Sequence, residues 1–296
     1  MSIQLAACVV LYNPDNSVFE NILTYGNFVD KLIVVDNSLI KNNLLIDKLH
    51  EVFQSKLVYI DNNDNLGIAT ALNQACDKAI ELQFNWILTM DQDSLFINFE
   101  HYKKCLLSVQ NISNLCLLSA NTTRNALEKL PKNPTLEFEE RFIVITSANI
   151  INLKYFNKIG RFEDKFFIDM VDYDFCAKVK KENLRILYFK DVLVEHALGE
   201  VFLRKNLFTG KKRYKIEHNA QRVYYITRNS LYLSKKYNKI FPKEFGVLKI
   251  INILFIHEIT KILLYEDNKL KKIKSKFIGL FHFLINKFGR YDLETK

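Results

Sequence analysis

The chain has 296 residues, 49% of them hydrophobic, which is enough to bury a large core and excludes intrinsic disorder. Its formal charge of +9 is unevenly spread: residues 1–200 hold 20 Lys/Arg against 26 Asp/Glu, net −6, and 201–296 hold 22 against 7, net +15. An acidic front joined to a basic tail describes a site-bearing domain followed by a segment that faces something anionic: nucleic acid, a phosphorylated ligand or an anionic membrane surface.

The opening MSIQLAACVVLYNP has no basic n-region or cleavage site of a signal peptide, and its apolar run is of strand length. The first 120 residues alternate β-branched runs with helical patterns: QLAACVVLYN, a polar helix, KLIVVDNS, a second helix, KLVYIDN, the helix GIATALNQACDKAIEL, then NWILTMDQD. Strands separated by helices of this length predict a parallel sheet of βαβ units with right-handed crossovers. Each strand ends in a polar cluster: Tyr12-Asn13-Pro14, Asp36-Asn37-Ser38, Asp61-Asn62-Asn63 and Asp91-Gln92-Asp93. In an open parallel sheet, ligands bind outside the carboxyl ends of the strands, so the four clusters are expected at one site. Taken singly, each is as well explained as a turn or a helix cap.

Beyond residue 120, ERFIVITSANIINLKYF reads as a strand entering a helix. GRFEDKFFIDMVDYDFCAKVKKENL reads as a loop entering a helix near Asp172, and RILYFKDVLVEH as a strand with its polar end at Glu195 and His196. From about 205 the pattern is helical and basic. The apolar region 247–264 is interrupted by Lys249, His257, Glu258 and Lys261, which argues against a membrane-spanning helix. The cysteines Cys8, Cys76, Cys105, Cys116 and Cys176 are scattered, with no C-x-x-C pair, as expected of buried thiols in a reduced, cytosolic setting.

D-x-D occurs at 91–93 and at 172–174. The first follows a buried-type strand, where both carboxylates can reach one hard cation such as Mg or Mn together with phosphate oxygens. The second falls on a helical first turn, where positions i and i+2 do not share a face, so Asp172 and Asp174 are expected to do different jobs. A phosphatase using the first Asp as nucleophile is the competing D-x-D chemistry; it expects the motif on the first strand, and here it lies on about the fourth.

Together VVLYNP (9–14), IVVDNS (33–38), DNLGIATALNQACDKA (64–79), MDQDS (90–94) and FFIDMVDYDFCAKV (166–179) resemble, in order, the motifs of inverting family-two glycosyltransferases of GT-A fold. The DQDS form with FFID-x-VD-x-DFC and RVYYITRN is most similar to bacterial rhamnosyltransferases that use dTDP-L-rhamnose. The resemblance covers about residues 1–230. It implies an α/β GT-A catalytic domain over 1–204, with a nucleotide-sugar half to about 120 and an acceptor half from 121, and a helical basic C-terminal extension over 205–296.

The resemblance further implies that Tyr12, Asn13, Pro14, Asp36 and Asn37 cradle base and ribose, with Asp36 accepting from the pyrimidine N–H. Asn65, Gly67 and Asn73 would shape the nucleotide side of the cleft. Asp91 would lie near ribose and sugar, and Asp93, with Asp91 and His196, would hold a divalent metal at the diphosphate. Asp172 would be the general base, Asp169 and Asp174 being alternatives and Asp174 the more structural. Arg222, Tyr225 and Arg228 would lie beside acceptor or diphosphate. The acceptor implied is a surface polysaccharide or a lipid-linked oligosaccharide, and a UDP-hexose is the competing donor. Where the family has Arg and Gly on the helix after the base motif, this chain has Lys178 and Asn183; Lys loses bidentate phosphate geometry, and Asn can still form a left-handed cap.

In the tail, Phe277, Leu280, Phe281, Phe283, Leu284 and Phe288 alternate with Lys271, Lys272, Lys274, Lys276 and Lys287. That pattern predicts either an amphipathic helix lying on an anionic membrane at the cytoplasmic face or a helical subdomain packed on a core. A non-catalytic binder of anionic surfaces shares the charge pattern. Nucleic acid is not expected, since no helix-turn-helix, zinc or RNP signature is present.

Overall fold

The strand Leu5–Leu11 (β1) is LAACVVL, and all seven residues are buried, as a central parallel strand covered on both faces requires. In a computed structural model, which describes residues 3–196, 200–205 and 212–292, the chain divides into two compact units. One is Met1–Glu163 with Asp172–Ala197, the other Asp164–Val171 with Leu198–Lys296.

The first unit is built on a mostly parallel sheet. Helices Ser17–Gly26 (α1), Asn43–Phe53 (α2) and Ile68–Glu81 (α3) alternate with strands Lys31–Asp36 (β2), Leu57–Asp61 (β3) and Trp86–Asp91 (β4). The first 91 residues therefore follow the order expected from their periodicity. Then come Ser94–Phe96 (β5), helix Phe99–Val109 (α4), Leu115–Thr123 (β6), the two-residue Glu139–Glu140 (β7), Asn149–Asn152 (β8) with the short helix Leu153–Phe156 (α5), helix Val171–Lys181 (α6), and Arg185–His196 (β9). The strand order is β3-β2-β1-β4-β8-β6-β9-β5, with β7 also paired to β9. The strands β1 to β4 are mutually parallel, and β8 runs antiparallel between β4 and β6.

The strand expected within ERFIVITSANIIN is shorter than its apolar pattern suggests. Ala148 takes a left-handed φ of 63° and donates its N–H to Thr89 O at 2.8 Å, so regular pairing begins only at Asn149. All five cysteines are buried and free, and burial pushes the Cys8 thiol up to about 12.

The second unit contains an antiparallel hairpin of Glu200–Lys205 (β10) and Lys212–Glu217 (β11). The helical reading from 205 onward is thus corrected at 212–217, where a β-rich KRYKIE finds its partner strand. Residues 206–211 and 293–296 of the expected helical extension lie outside the described residues. Helices follow: Ala220–Tyr237 (α7), Pro242–Phe245 (α8), Val247–Ile251 (α9), a π-helical stretch Asn252–His257, Glu258–Tyr265 (α10) and Lys269–Leu284 (α11). Among the described residues no helix is long and apolar enough to cross a membrane.

Candidate active site

The register of the parallel strands aligns their ends. Leu11 lies opposite Asp36, Asp36 opposite Asp61, and Val10 opposite Asp91. The polar clusters therefore form one continuous edge, tied together by hydrogen bonds. Asn13 N–H donates to Ser38 Oγ at 2.7 Å, Asn37 N–H to Leu11 O at 2.8 Å and Asn62 N–H to Asp36 O at 3.0 Å. The Asn62 amide also donates to Asn37 Oδ1 at 2.8 Å.

Tyr12 is 48% exposed and Pro14 is buried beneath that edge. An exposed ring at a strand end is a platform for a flat ligand. Asn13 is exposed with a left-handed φ of 46°. Gly67 caps α3 at φ 87°, a backbone that L side chains resist; Asn65 Oδ1 accepts its N–H at 3.0 Å, and the Asn37 amide donates to its carbonyl at 3.2 Å.

Two expected contacts do not lie where the resemblance implies. Asp36 is 0% exposed; its carboxylate accepts from Ser38 N–H and from the Tyr59 hydroxyl, at 2.8 and 2.7 Å. Burial, together with the bond to Asp36, keeps the Tyr59 hydroxyl protonated by pushing its pKa well up. Asp36 therefore braces the wall of the cleft from behind and presents no acceptor to a base. Asn73 is likewise buried, and its amide exchanges bonds with the backbone of Phe162 at 3.1 and 3.0 Å, pinning a loop of its own unit.

The D-x-D residues diverge across a turn, since β4 ends at Asp91 and β5 begins at Ser94. Gln92, between them, turns back to β1: Tyr12 N–H donates to its Oε1 at 2.8 Å, and its Nε2 donates to Tyr12 O at 3.2 Å. Asp91 and Asp93 then meet His196, the three offering ligand atoms all within 4.8 Å of one another. Antiparallel pairing of β5 with β9 sets Ser94 opposite His196. The Ser94 hydroxyl lies 2.6 Å from His196 Nδ1 and accepts from Ser147 Oγ at 2.8 Å, while Ser147 Oγ accepts from Asp91 N–H at 3.2 Å.

Burial alone would lower the His196 pKa, but its hydrogen bond with Asp93 and the charges of Asp91 and Asp93 outweigh burial and nearby Arg124, so the value is raised. A carboxylate pair that stabilises positive charge on this ring also suits a divalent cation. Two carboxylates and an imidazole held by further hydrogen bonds are a donor set for Mn or Mg. The residues present therefore fit such a metal.

No family model matches the chain. It is 25% identical over 315 residues to dTDP-rhamnosyl transferase RfbF of Shigella flexneri, covering 99% of this chain and 100% of that protein. Among solved structures it resembles mannosyltransferase PcManGT from Pyrobaculum calidifontis in complex with GDP-Man and Mn2+, at TM-score 0.59 and 12% identity over 95% of this chain and 75% of that one. It also resembles GalNAc-T7 with UDP, GalNAc and Mn2+, at TM-score 0.55 and 10% identity over 85% of this chain and 54% of that one. The chain has a GT-A fold.

Three acidic residues of FFIDMVDYD take different positions in the structure. Asp172, in the first turn of α6, is half-buried, and its Oδ1 accepts from Tyr173 N–H at 2.9 Å. The helix turns into β9 through Asn183, whose φ of 54° forms the left-handed cap expected of its position. Asp174 is 0% exposed and paired with Lys178 at 2.8 Å, which also donates to the carbonyls of Gly160 and Arg161 at 3.0 and 2.8 Å. Lys178 is thus a structural cation.

Asp169 belongs to the second unit. Its side chain is 6% exposed and held by Arg222 Nη2 at 2.6 Å, Arg222 itself being 41% exposed. Phe167, Asp169 and Met170 all have left-handed φ, from 63° to 65°, at a cost of about 1 kcal/mol or more each. Asn229 holds this loop, its amide donating to the carbonyls of Phe166, Ile168 and Asp169 at 3.2, 2.9 and 2.9 Å.

Arg228 and Tyr225 are turned into the interior of their own unit. Arg228 is 0% exposed and donates to Tyr224 Oη, Gly289 O and Phe166 O at 3.1, 2.9 and 3.1 Å. Tyr225 is 1% exposed, stacks on Phe167 and exchanges hydrogen bonds with Tyr291. Of the three tail residues expected beside acceptor or diphosphate, Arg222 alone keeps an exposed guanidinium. Gln92, Ser94 and Ser147 were absent from the sequence-derived set.

Proposed function

We propose that the protein is a metal-dependent, inverting rhamnosyltransferase that moves L-rhamnose from dTDP-L-rhamnose to a surface-polysaccharide or lipid-linked oligosaccharide acceptor at the cytoplasmic face of a membrane. The observation that carries this reading is the convergence of Asp91, Asp93 and His196 at the end of β4, beside Tyr12, in a GT-A fold. The choice of donor is supported by the full-length likeness to a dTDP-rhamnosyl transferase.

In this reading Tyr12 stacks the base, and Asn13, Pro14, Asn37, Asn65 and Gly67 form the wall around nucleoside and ribose. Asp93, Asp91 and His196 hold Mn or Mg, which when bound neutralises charge on the departing diphosphate. Asp172 takes the proton of the acceptor hydroxyl as that oxygen bonds to the anomeric carbon. The bond from that carbon to the diphosphate oxygen breaks on the opposite face, its electrons leave with dTDP, and configuration inverts. Asp169, anchored by Arg222, positions the loop that precedes the base.

A donor-hydrolysis panel tests the reading. Turnover of dTDP-rhamnose over UDP-hexoses, dependent on Mn or Mg and lost in Asp93→Ala, is expected. Equal turnover of UDP-hexoses would overturn the donor, and indifference to chelation would overturn the metal site.

A further inference from the structure

Helix α11 is inside out. It buries Lys272, Ser275, Lys276 and His282, each 6% exposed or less, and leaves Leu270, Phe277, Phe281 and Leu284 at 85%, 54%, 56% and 65%. The exposed four recur at intervals of seven, four and three, which puts them on one helical face. The buried face is fixed by specific partners: Lys272 pairs with Glu217 and Glu266, Lys276 with Glu258, and His282 Nδ1 lies 2.7 Å from the Tyr224 hydroxyl. Gly279 lets α7 approach so closely that a Cβ there would lie 2.8 Å from Tyr224 O. Rotating the helix to hide its phenylalanines would break all of these, so the outward apolar face is built in.

The preceding helical segment matches it. Leu248, Ile251, Ile256 and Leu263 are 84%, 42%, 63% and 49% exposed. A groove of about 540 Å3 lies between the two segments and α7, lined by apolar residues of both, Phe255, Phe277 and Phe283 among them, and by Leu231, Ser234, Lys235 and Asn238 of α7. Lys249, Lys269, Lys271, Lys274, Lys287 and Arg290 are exposed over 247–292, against the exposed carboxylates of Asp267 and Asp292. Apolar surface of this extent, rimmed by cations, complements a leaflet that offers anionic headgroups over hydrocarbon.

We propose that this face inserts into the interfacial layer of an anionic bilayer, and that the groove takes one hydrocarbon chain of a membrane lipid. This deepens the membrane location proposed above, which rested on the alternation of apolar residues with lysines in the sequence. It moves the contact from the lysines to the apolar stripe, since Lys272 and Lys276 are spent inside the fold.

The test is co-sedimentation of the full chain with vesicles of phosphatidylcholine alone or mixed with phosphatidylglycerol. Binding to the mixed vesicles is expected, weakened but kept at high salt. The double variant Phe281→Asp/Leu284→Asp, at positions already in solvent, should lower the partition coefficient by about tenfold per side chain with an unchanged thermal melt. A Phe281→Trp variant should be quenched by brominated acyl chains beyond the background of buried Trp86. Wild-type binding that high salt abolishes, double-variant binding equal to wild type, or an unquenched indole would overturn the proposal. So would a wild-type dimer that the double variant dissolves without any vesicle binding, since a second copy would then cover the face. Donor hydrolysis measured without vesicles keeps the readings apart: failure there, with stripe-dependent vesicle binding intact, removes the transferase reading and leaves this one standing.

Discussion

Replacing Ser94 with alanine isolates the support of the metal group from the group itself. Ser94 is fully buried, and its hydroxyl stands 2.6 Å from His196 Nδ1 and 2.8 Å from Ser147 Oγ. The substitution removes one atom and both bonds, for a loss of about 1–2 kcal/mol of folding stability at about 1 kcal/mol per bond. The larger effect is on the ring. Ser94 orients the imidazole beside Asp93, and losing such a partner costs about 10- to 100-fold in metal affinity, or about 1.4–2.7 kcal/mol. Mn titrated calorimetrically into metal-free protein, and donor hydrolysis followed against Mn concentration, should both show that weakening. The rate at saturating Mn should stay close to wild type, because no group touching the donor is changed. Wild-type Mn affinity in Ser94→Ala, or a rate loss that saturating Mn does not restore, would refute the assignment of Ser94 as the residue that positions His196.

Asp172→Asn should keep Mn affinity and the thermal melt while lowering transfer to an acceptor hydroxyl by about 10²- to 10⁴-fold; retained transfer would move the base elsewhere. Arg228→Ala should behave as a folding variant, losing about 3 kcal/mol or more as a cavity opens, the Gly289 carbonyl loses this donor and that of Phe166 is left with Asn229. An unchanged melt with lost activity would return Arg228 to the ligand. In metal-free protein, NMR titration should find His196 above its ordinary value, and Asp93→Asn should lower it, because the bond to Asp93 and its charge are raising contributions. Its protonated form thus persists to higher pH, and Mn must compete with that proton below the raised pKa. A His196 pKa unmoved by Asp93→Asn would break the link between the two.

The order of elements through residue 91 and the polar clusters at the strand ends were legible because both are local. Burial on both faces writes a continuous apolar strand, and a crossover needs a helix of fixed length. The approximate site followed from the general position of ligands at carboxyl strand ends, and the order of the family's motifs carried the rest. Individual roles were less legible. Asp36, Asn73, Tyr225 and Arg228 have residue types suited to a ligand, yet each is buried and bonded to its own unit. A motif carries residue type and spacing, and says nothing of whether a side chain faces the cleft or the wall behind it.

Alone, the sequence determined the sheet, its polar edge and the D-x-D carboxylates at the end of the fourth strand, since each depends on periodicity over a few residues. The family resemblance implied that His196, 103 positions beyond Asp93 along the chain, joins the group, and only the tertiary structure decided how: antiparallel pairing of β5 with β9 brings it there. The same holds for α11. Its composition describes an ordinary amphipathic helix with its lysines outward, and Glu217, Glu258 and Glu266 turn those lysines in and the phenylalanines out. Which face of a helix is buried is set by the partners the fold supplies, and those lie far away in the chain.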